Sequence, residues 1–163
     1  MTDIIIRRAS LGDLNAVTAV EAACFPPAEA ATRDSLAKRL TAYGESFLVA
    51  EADGQIIGFI NGSVVDSETI ADEMFDDIGL HRPDGRYQAI FGLDVLPEYR
   101  RQGVAANLME CLIDVARKEG RAGLILTCKE HLIHYYEKFG YVNLGVSQSV
   151  HGGAVWYDMI LRF

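Results

Sequence analysis

The sequence predicts one α/β domain, with a mixed, mostly antiparallel sheet of about seven strands and helices on both faces. Three observations lead to this prediction. Residues 46–52 and 55–65 are rich in β-forming residues and are joined by Asp53-Gly54, a dipeptide typical of two-residue hairpins. The apolar segment 87–95 is followed by a glycine turn and an amphipathic helix, and residues 124–128 form a second apolar run. A strand, a helix and a returning strand predict a right-handed parallel crossover.

The N-terminal part predicts one strand and two helices ahead of the hairpin. Residues 4–7 are apolar and short enough for a strand. Apolar residues then recur at helical spacing from Leu11 to Cys24, where a pair of prolines interrupts the chain. Thr32 is a favourable N-cap for a second helix over residues 33–42, because its hydroxyl oxygen can accept a bond from a free backbone N–H.

The remaining elements flank the parallel crossover. Residues 66–77 are acidic, and this composition is typical of a solvated loop or short helix. Residues 131–139 predict a helix that ends at Gly140, since glycine accepts the left-handed conformation common after a helix. Residues 141–144 and 154–162 predict the last two strands.

Composition limits the kinds of partner. The chain has 163 residues, half of them hydrophobic, so residues 1–163 can form a single domain that buries roughly 70% of its unfolded surface. A net charge of −8 argues against a nucleic-acid partner and suits a cationic one. The three cysteines lack metal-ligand spacing, which favours reduced thiols and no metal site. We find no long apolar run or signal segment, and therefore expect a cytoplasmic protein without membrane contact.

The turn before the amphipathic helix suits an anion. Backbone N–H groups in the first turn of a helix have no intrahelical acceptor, and the helix dipole adds partial positive charge there. Gly103 lets an anion approach the backbone closely, while Arg100 and Arg101 supply countercharge. The segment has neither the Gly-Lys-Ser/Thr ending of a P-loop nor the three glycines of the dinucleotide fingerprint.

Three motifs together resemble those of the GNAT acyltransferase superfamily. They are Leu93-Asp94-Val95 at the end of the central strand, Arg100 to Ala105, and Tyr136 to Tyr141 after the parallel strand. The predicted element order also matches the GNAT fold over essentially the whole chain. Within the superfamily the sequence is most similar to the arylalkylamine (serotonin-type) N-acetyltransferases, through Leu80 to Pro83, the arginine-rich turn, and Cys128-Lys129-Glu130.

The resemblance implies acetyl-coenzyme A as co-substrate, held at a gap where two strands separate. The Leu93 N–H would polarise the thioester carbonyl, and Tyr136 would protonate the departing thiolate. Strand alternation places the Asp94 side chain opposite those of its neighbours, so a structural role is predicted for that side chain. The residues that the resemblance assigns to the coenzyme are Leu93, Asp94, Val95, Arg100, Arg101, Gln102, Gly103, Val104, Ala105, Ala106, Tyr136 and Lys138.

The acceptor side departs from the serotonin-type pattern. Their two central-strand histidines correspond to Ala89 and Phe91, so the implied proton relay is absent. Phe25, Pro26 and Phe91 occupy positions where the resemblance implies an acceptor pocket. His151, in a glycine-rich loop, is expected to be exposed. The candidates for a replacement base are His81, Glu29, Glu130, His131 and His134.

Three functions remain open at this point. The first is transfer of acetyl to a primary amine of a small molecule, by direct attack in a ternary complex. The second is acetylation of a peptide or protein N-terminus, whose α-amine has a pKa of about 7.7–8.0 and so is largely neutral without a base. The third is a catalytically weak acetyl-coenzyme A sensor. A homodimer is one of the assembly states that the sequence leaves open.

Overall fold

The computed structural model describes residues 3–163 and contains the predicted elements in the predicted order. The strands are β1 (Ile4–Arg8), β2 (Phe47–Ala52), β3 (Gln55–Asn61), β4 (Val64–Val65), β5 (Tyr87–Ile90), β6 (Gly92–Val95), β7 (Gly123–Cys128), β8 (Val142–Val146) and β9 (Tyr157–Arg162). The helices are α1 (Leu14–Cys24), α2 (Arg33–Ala42), α3 (Val104–Lys118) and α4 (Ile133–Glu137). The last helix is shorter than predicted, because residues Glu130–Leu132 form a 3-10 turn.

The strands form a mixed sheet with an irregularity at its centre. Four strands are ordered β1-β2-β3-β6 and five are ordered β4-β5-β7-β9-β8. Backbone bonds from Phe91 N–H to Asn61 O (2.7 Å) and from Ala89 N–H to Ser63 O (2.8 Å) connect the two groups. Two segments predicted as single strands are therefore two strands each. Residues 55–65 form β3 and β4, and the central segment forms β5 and β6, interrupted at Phe91.

Strand pairing confirms the hairpin and the crossover. Asp53 and Gly54 both have positive φ, 51° and 77°, as a two-residue hairpin turn with twisted strands requires. β2 and β3 pair antiparallel on either side of this turn. β5 and β7 are parallel and are joined through α3, so the predicted crossover is correct.

Helices cover both faces of the sheet, as predicted. On one face Leu108, Met109 and Leu112 of α3 are fully buried against the strands. On the other face Val17 of α1 and Leu36 of α2 are equally buried. The 3.6-residue periodicity of the sequence therefore predicted the buried sides of α1 and α3.

The N-cap of α2 allows a simple stability prediction. The Thr32 side chain accepts a hydrogen bond from the Ser35 N–H at 3.1 Å. Replacing Thr32 by alanine leaves that N–H to solvent and should lower the free energy of unfolding by about 1 kcal/mol. Urea denaturation monitored by circular dichroism measures this change, and Thr32→Ser is the matched control because it keeps the accepting oxygen. Equal stability of the alanine variant and the wild type would contradict the capping role.

Candidate functional site

The central feature of the site is a gap between β6 and β7. The pairing of β5 with β7 ends at Ile90 and Leu126, and β6 then continues beside β3 alone. β7 extends to Cys128 while pairing with β9 on its other side. We call this gap the interstrand cleft; it opens into a cavity of about 530 Å³. This is the strand separation that the family resemblance implies.

The backbone of β6 presents hydrogen-bonding groups to the interstrand cleft. Leu96 N–H donates to Ile57 O of β3 at 2.8 Å. Peptide groups alternate sides along a strand, so those of Leu93 and Val95 point away from β3 and toward β7. Val95 O accepts bonds from Arg100 Nε (2.9 Å) and from the Cys24 thiol (3.4 Å), which shows that this edge is accessible to donors other than a strand. An extended ligand in the cleft can therefore pair with β6.

The N-terminus of α3 lies beside the same cleft. Gly103 is the N-cap of α3 and has φ of 81°, and a β-carbon there would meet nothing within 4 Å. The first-turn N–H groups of Val104, Ala105 and Ala106 lack intrahelical acceptors by helix geometry. The Val104 side chain is buried in the core, so only its backbone can serve a ligand. Ala105 lines the cavity.

The basic residues of the turn are exposed to solvent. Arg100 lines the cavity, and its bond to Val95 O fixes the guanidinium between the end of β6 and the start of α3. Arg101 adopts φ of 63°, unusual for a residue other than glycine. Gln102 turns back to donate to Glu98 O at 3.2 Å. These positions suit an anion at the helix start; their role in coenzyme binding stays a prediction.

Tyr136 lies in the wall of the cavity next to the cleft. It packs edge-on against Tyr135 and Tyr141, with ring centroids 5.2 and 6.0 Å away. Burial raises the pKa of Tyr136 well above that of a free phenol, so the side chain remains a neutral proton donor. Tyr135 also lines the cavity. Lys138 is exposed and lies outside the cavity lining, and its predicted phosphate contact stays a prediction.

The residues predicted to bind an acceptor all line the cavity. We call the part of the lining that they form, together with the side chains in contact with them, the acceptor half. Phe25, Pro26 and Phe91 all line it. Phe75 also contributes, with its ring 4.7 Å from that of Phe91, and Trp156 lies on the same lining. Sequence reasoning did not single out either of these two aromatic residues. They come from segments far apart in the chain, and no local pattern connects them.

Two expectations about loops require correction. His151 was expected to be exposed, but it is half-buried and lines the cavity. Its ring stacks on that of Phe75, with the ring centroids 5.0 Å apart, and its Nε2 lies 2.9 Å from Glu29 O. The acidic segment 66–77 is only partly solvated, because Met74 is buried and both Phe75 and Asp76 line the cavity. Tertiary contacts therefore bring both loops to the acceptor half.

Of the five candidate bases, two line the cavity and three lie outside its lining. His81 accepts a bond from Val64 N–H (2.9 Å) and packs on Tyr43, outside the cavity lining. Glu130 and His134 are exposed and also lie outside the lining. Glu29 and His131 do line the cavity. Glu29 is paired with Lys129 Nζ at 2.9 Å, so its carboxylate already has a positive partner.

Glu21 and Asp94 form a buried carboxyl pair that was not predicted from the sequence. Glu21 on α1 is 6% exposed and lines the cavity, and Asp94 on β6 is 1% exposed. Asp94 faces the α1 side of the sheet, as the strand alternation predicted. Burial, followed by the neighbouring Glu21 carboxyl, raises the pKa of Asp94 well above its usual range. The sequence did hold one sign of this: Glu21 falls on the helix face that carries Leu14 and Val17, where a charged residue is unusual.

A buried arginine completes this polar group. Arg39 of α2 is 3% exposed and donates to Asn61 Oδ1 (3.2 Å) and to Phe75 O (2.8 Å). Its guanidinium lies 5.2 Å from the centre of the Phe91 ring, within the range of a cation–π contact. Burial lowers the pKa of Arg39. The polar side of the acceptor half thus contains both signs of charge.

Two further properties concern residues 3–163. None of the helices in this range combines the length and apolar composition that crossing a membrane requires. Within the same range, no three or more His, Cys, Asp or Glu side chains are arranged to hold a metal ion.

Comparison with known proteins places this architecture in a family. Residues 14–141 match the model of the acetyltransferase (GNAT) family. Serotonin N-acetyltransferase of Mesocricetus auratus is 32% identical over 94 residues, which is 57% of this chain and 44% of that protein. A probable hydrolase, YhcX of Bacillus subtilis (strain 168), is 29% identical over 142 residues, which is 82% of this chain and 27% of that protein. This chain therefore spans less than half the length of either relative.

A solved structure supports the same assignment of fold. The GNAT-like decarboxylase GphF, in complex with isobutyryl-CoA, superposes with a TM-score of 0.84 at 21% identity, covering 97% of this chain and 98% of that one. At this identity the likeness establishes the fold alone. The family model, by contrast, covers most of the chain and includes the central strand, the glycine turn, α3 and Tyr136. The chain belongs to the GNAT acetyltransferase family.

Proposed function

We propose that this protein is an N-acetyltransferase that moves an acetyl group from acetyl-coenzyme A to a primary amine of a small molecule. The observation that carries the proposal is the interstrand cleft, with the α3 N-terminus on one side and an aromatic, acidic half-cavity on the other. A thioester lying in the cleft would have its diphosphate at the helix start and its acyl group beside the acceptor half.

The coenzyme assignment rests on geometry and on related structures. The GphF structure contains isobutyryl-CoA, and other structures of this fold contain acetyl-CoA or coenzyme A. In this chain the free N–H groups of α3 suit the diphosphate, and the cleft-facing peptide groups of β6 suit the amides of the pantetheine arm. Leu93 N–H is the proposed donor to the thioester carbonyl.

The proposed chemistry is direct attack. The amine nitrogen forms a bond to the acetyl carbon and loses a proton, the carbon–sulfur bond breaks, and the sulfur takes a proton from the Tyr136 phenol, which is reprotonated in the same turnover. The raised pKa of Tyr136 keeps that proton in place across the neutral pH range. None of these steps requires an acyl-cysteine.

The lining of the acceptor half favours an apolar amine. Phe25, Phe75, Phe91 and Trp156 present aromatic surface, while the Glu21 carboxyl lies on the same lining. Aromatic faces and a carboxylate together suit an ammonium group that carries a hydrophobic body. A peptide N-terminus is the rival acceptor, and a panel of aryl-ethylamines, polyamines and short peptides separates the two.

Stabilisation by the coenzyme is the first test. Acetyl-coenzyme A at about 100 times its dissociation constant should stabilise the native protein by about 2.7 kcal/mol, measured as a rise in melting temperature. Adenosine monophosphate is the control, because it lacks both the diphosphate and the pantetheine arm. Thiol release is then followed across the amine panel. Stabilisation without thiol release from any amine would favour a sensor over an enzyme.

A further inference from the structure

The buried carboxyl groups of Glu21 and Asp94 have no catalytic role in the reaction proposed above. The two carboxyl groups converge with the Asn61 amide above Gly92. Asp94 Oδ1, Asn61 Nδ2 and Glu21 Oε1 lie 3.1, 3.3 and 3.8 Å from the position that a β-carbon on Gly92 would occupy. The absence of a side chain at Gly92 is therefore what lets these three polar groups approach one another.

The two carboxyl groups have different surroundings. Glu21 Oε2 accepts a bond from Ala31 N–H at 2.7 Å, which holds the side chain against the turn after α1. Neither oxygen of Asp94 has a hydrogen-bond donor among residues 3–163. A buried carboxyl without donors is far less costly when it is protonated, and a protonated Asp94 can donate to the Glu21 carboxylate. The arrangement thus assigns a proton to Asp94, whose pKa is raised by burial and by the Glu21 carboxyl.

The charged neighbours of the pair come from several elements. Arg39 of α2 is close enough to Glu21, and then to Asp76 of the 66–77 loop and to Asp94, for its positive charge to attract these carboxyl groups. The Cys24 thiol on α1 lies near Asp94, and burial raises the pKa of that thiol, so it stays neutral. Tyr43, whose pKa burial raises to about 12, is neutral as well. Of the two buried carboxyl groups, Glu21 is the one that lines the cavity.

We propose that Glu21 binds the acceptor ammonium and takes its proton, with protonated Asp94 as the positioning residue. This inference rests on the proposed acetylation of an amine. It assigns a base to a chain that has Ala89 and Phe91 where the serotonin-type enzymes carry histidines. It also points to an alkylamine acceptor, which is almost entirely protonated at neutral pH and needs such a base.

The protons balance across the reaction. The ammonium nitrogen starts with three protons. One passes to Glu21 and frees the lone pair that attacks the acetyl carbon. As the carbon–sulfur bond breaks, Tyr136 protonates the sulfur, a second proton leaves the nitrogen, and Tyr136 regains a proton. The third proton stays on the amide product. Glu21 returns its proton to solvent, so one proton is released in each turnover.

Burial makes the first proton transfer feasible. A carboxylate and an ammonium are both destabilised when water is excluded, and Glu21 is 6% exposed. Transfer of the proton from nitrogen to Glu21 converts two buried charges into two neutral groups. In water the same transfer would be strongly uphill, since the two pKa values differ by about six.

The experiment measures kcat/KM against pH, from pH 6 to 10, with the best alkylamine of the panel. The wild-type rate should not rise toward the pKa of the amine itself, because the proposed base takes the proton from the bound ammonium. In Glu21→Gln we expect at least a tenfold loss at pH 7, and the rate should rise with hydroxide concentration until it approaches wild type near the amine pKa. Asp94→Asn, whose amide can still donate to Glu21, should keep at least a third of the activity.

Controls distinguish the alternatives. Acetyl-coenzyme A should still raise the melting temperature of Glu21→Gln, which shows that the fold and the coenzyme site remain intact. A Glu21→Gln profile parallel to that of wild type, or an unchanged rate at pH 7, would overturn the role of Glu21. The wild-type profile gives a test that needs no variant: a rate that rises with pH up to an inflection at the pKa of the amine excludes a dedicated base. If wild type acetylates no amine at all, the proposed function fails and this inference fails with it.

Discussion

Replacing Gly103 by valine should lower the affinity for acetyl-coenzyme A by at least about 100-fold. A charge-assisted hydrogen bond contributes about 1.5–3 kcal/mol, so losing two of them at the helix start gives this magnitude. Gly103 has φ of 81°, and the space beside its α-carbon is open for a ligand. A valine there would place methyl groups where the diphosphate approaches the first-turn N–H groups. Isothermal titration calorimetry measures the affinity directly.

The same helix supplies a matched control for backbone strain. Gly120, just beyond the C-terminal end of α3, has φ of 75°, and a β-carbon there also meets nothing within 4 Å. Gly120→Val therefore introduces similar strain at the opposite end of α3, without touching the proposed anion site. Its affinity for acetyl-coenzyme A should stay within about twofold of wild type, although both variants lose stability. Equal affinities in the two variants would exclude the diphosphate role of the glycine turn.

Replacing Tyr136 by phenylalanine should lower turnover by about 100-fold, because a positioned general acid typically contributes 10²–10⁴ to the rate. The ring and its edge-on contacts with Tyr135 and Tyr141 are preserved, so acetyl-coenzyme A affinity should change little. The loss should therefore fall on kcat and not on the dissociation constant. Steady-state thiol release and calorimetry on the same preparation measure the two quantities.

Tyr135→Phe is the control for the tyrosine prediction, since Tyr135 also lines the cavity but matches no family motif. It should retain turnover within about threefold if the proton comes from Tyr136. Because burial raises the pKa of Tyr136, the phenol stays protonated as the pH rises, and wild-type activity should not decline from its ionisation below pH 10. An unchanged kcat in Tyr136→Phe would remove the general-acid assignment.

Local sequence patterns predicted the strand, the glycine turn and the helix of the proposed coenzyme site because these parts are contiguous. The strand ending at Val95, the glycine turn and α3 follow one another, and their geometry is set by periodicity, by Gly103 and by the helix start. The hairpin at Asp53 and Gly54 is local in the same sense. The strand separation followed only from the resemblance, since nothing within residues 87–95 marks where β7 leaves the central strand.

The acceptor side is different because its residues meet only in three dimensions. Glu21 on α1 and Asp94 on β6 are far apart in the sequence. Neither residue lies in a local pattern that would connect it with the other. His151 was expected to be exposed because it lies among glycines, yet stacking on Phe75 draws it into the cavity wall. The loops that carry Phe75 and His151 have no periodicity from which the contact between these two side chains could be inferred.

Local patterns were sufficient to predict the fold class, the element order, the parallel crossover and the position of the glycine turn, because each depends on residues close together in the chain. Only the tertiary structure decided which charged groups share the buried acceptor side and which predicted bases lie outside it. The reason is physical: the pKa of a carboxyl depends on burial and on neighbouring charges, and both are set by contacts between distant segments.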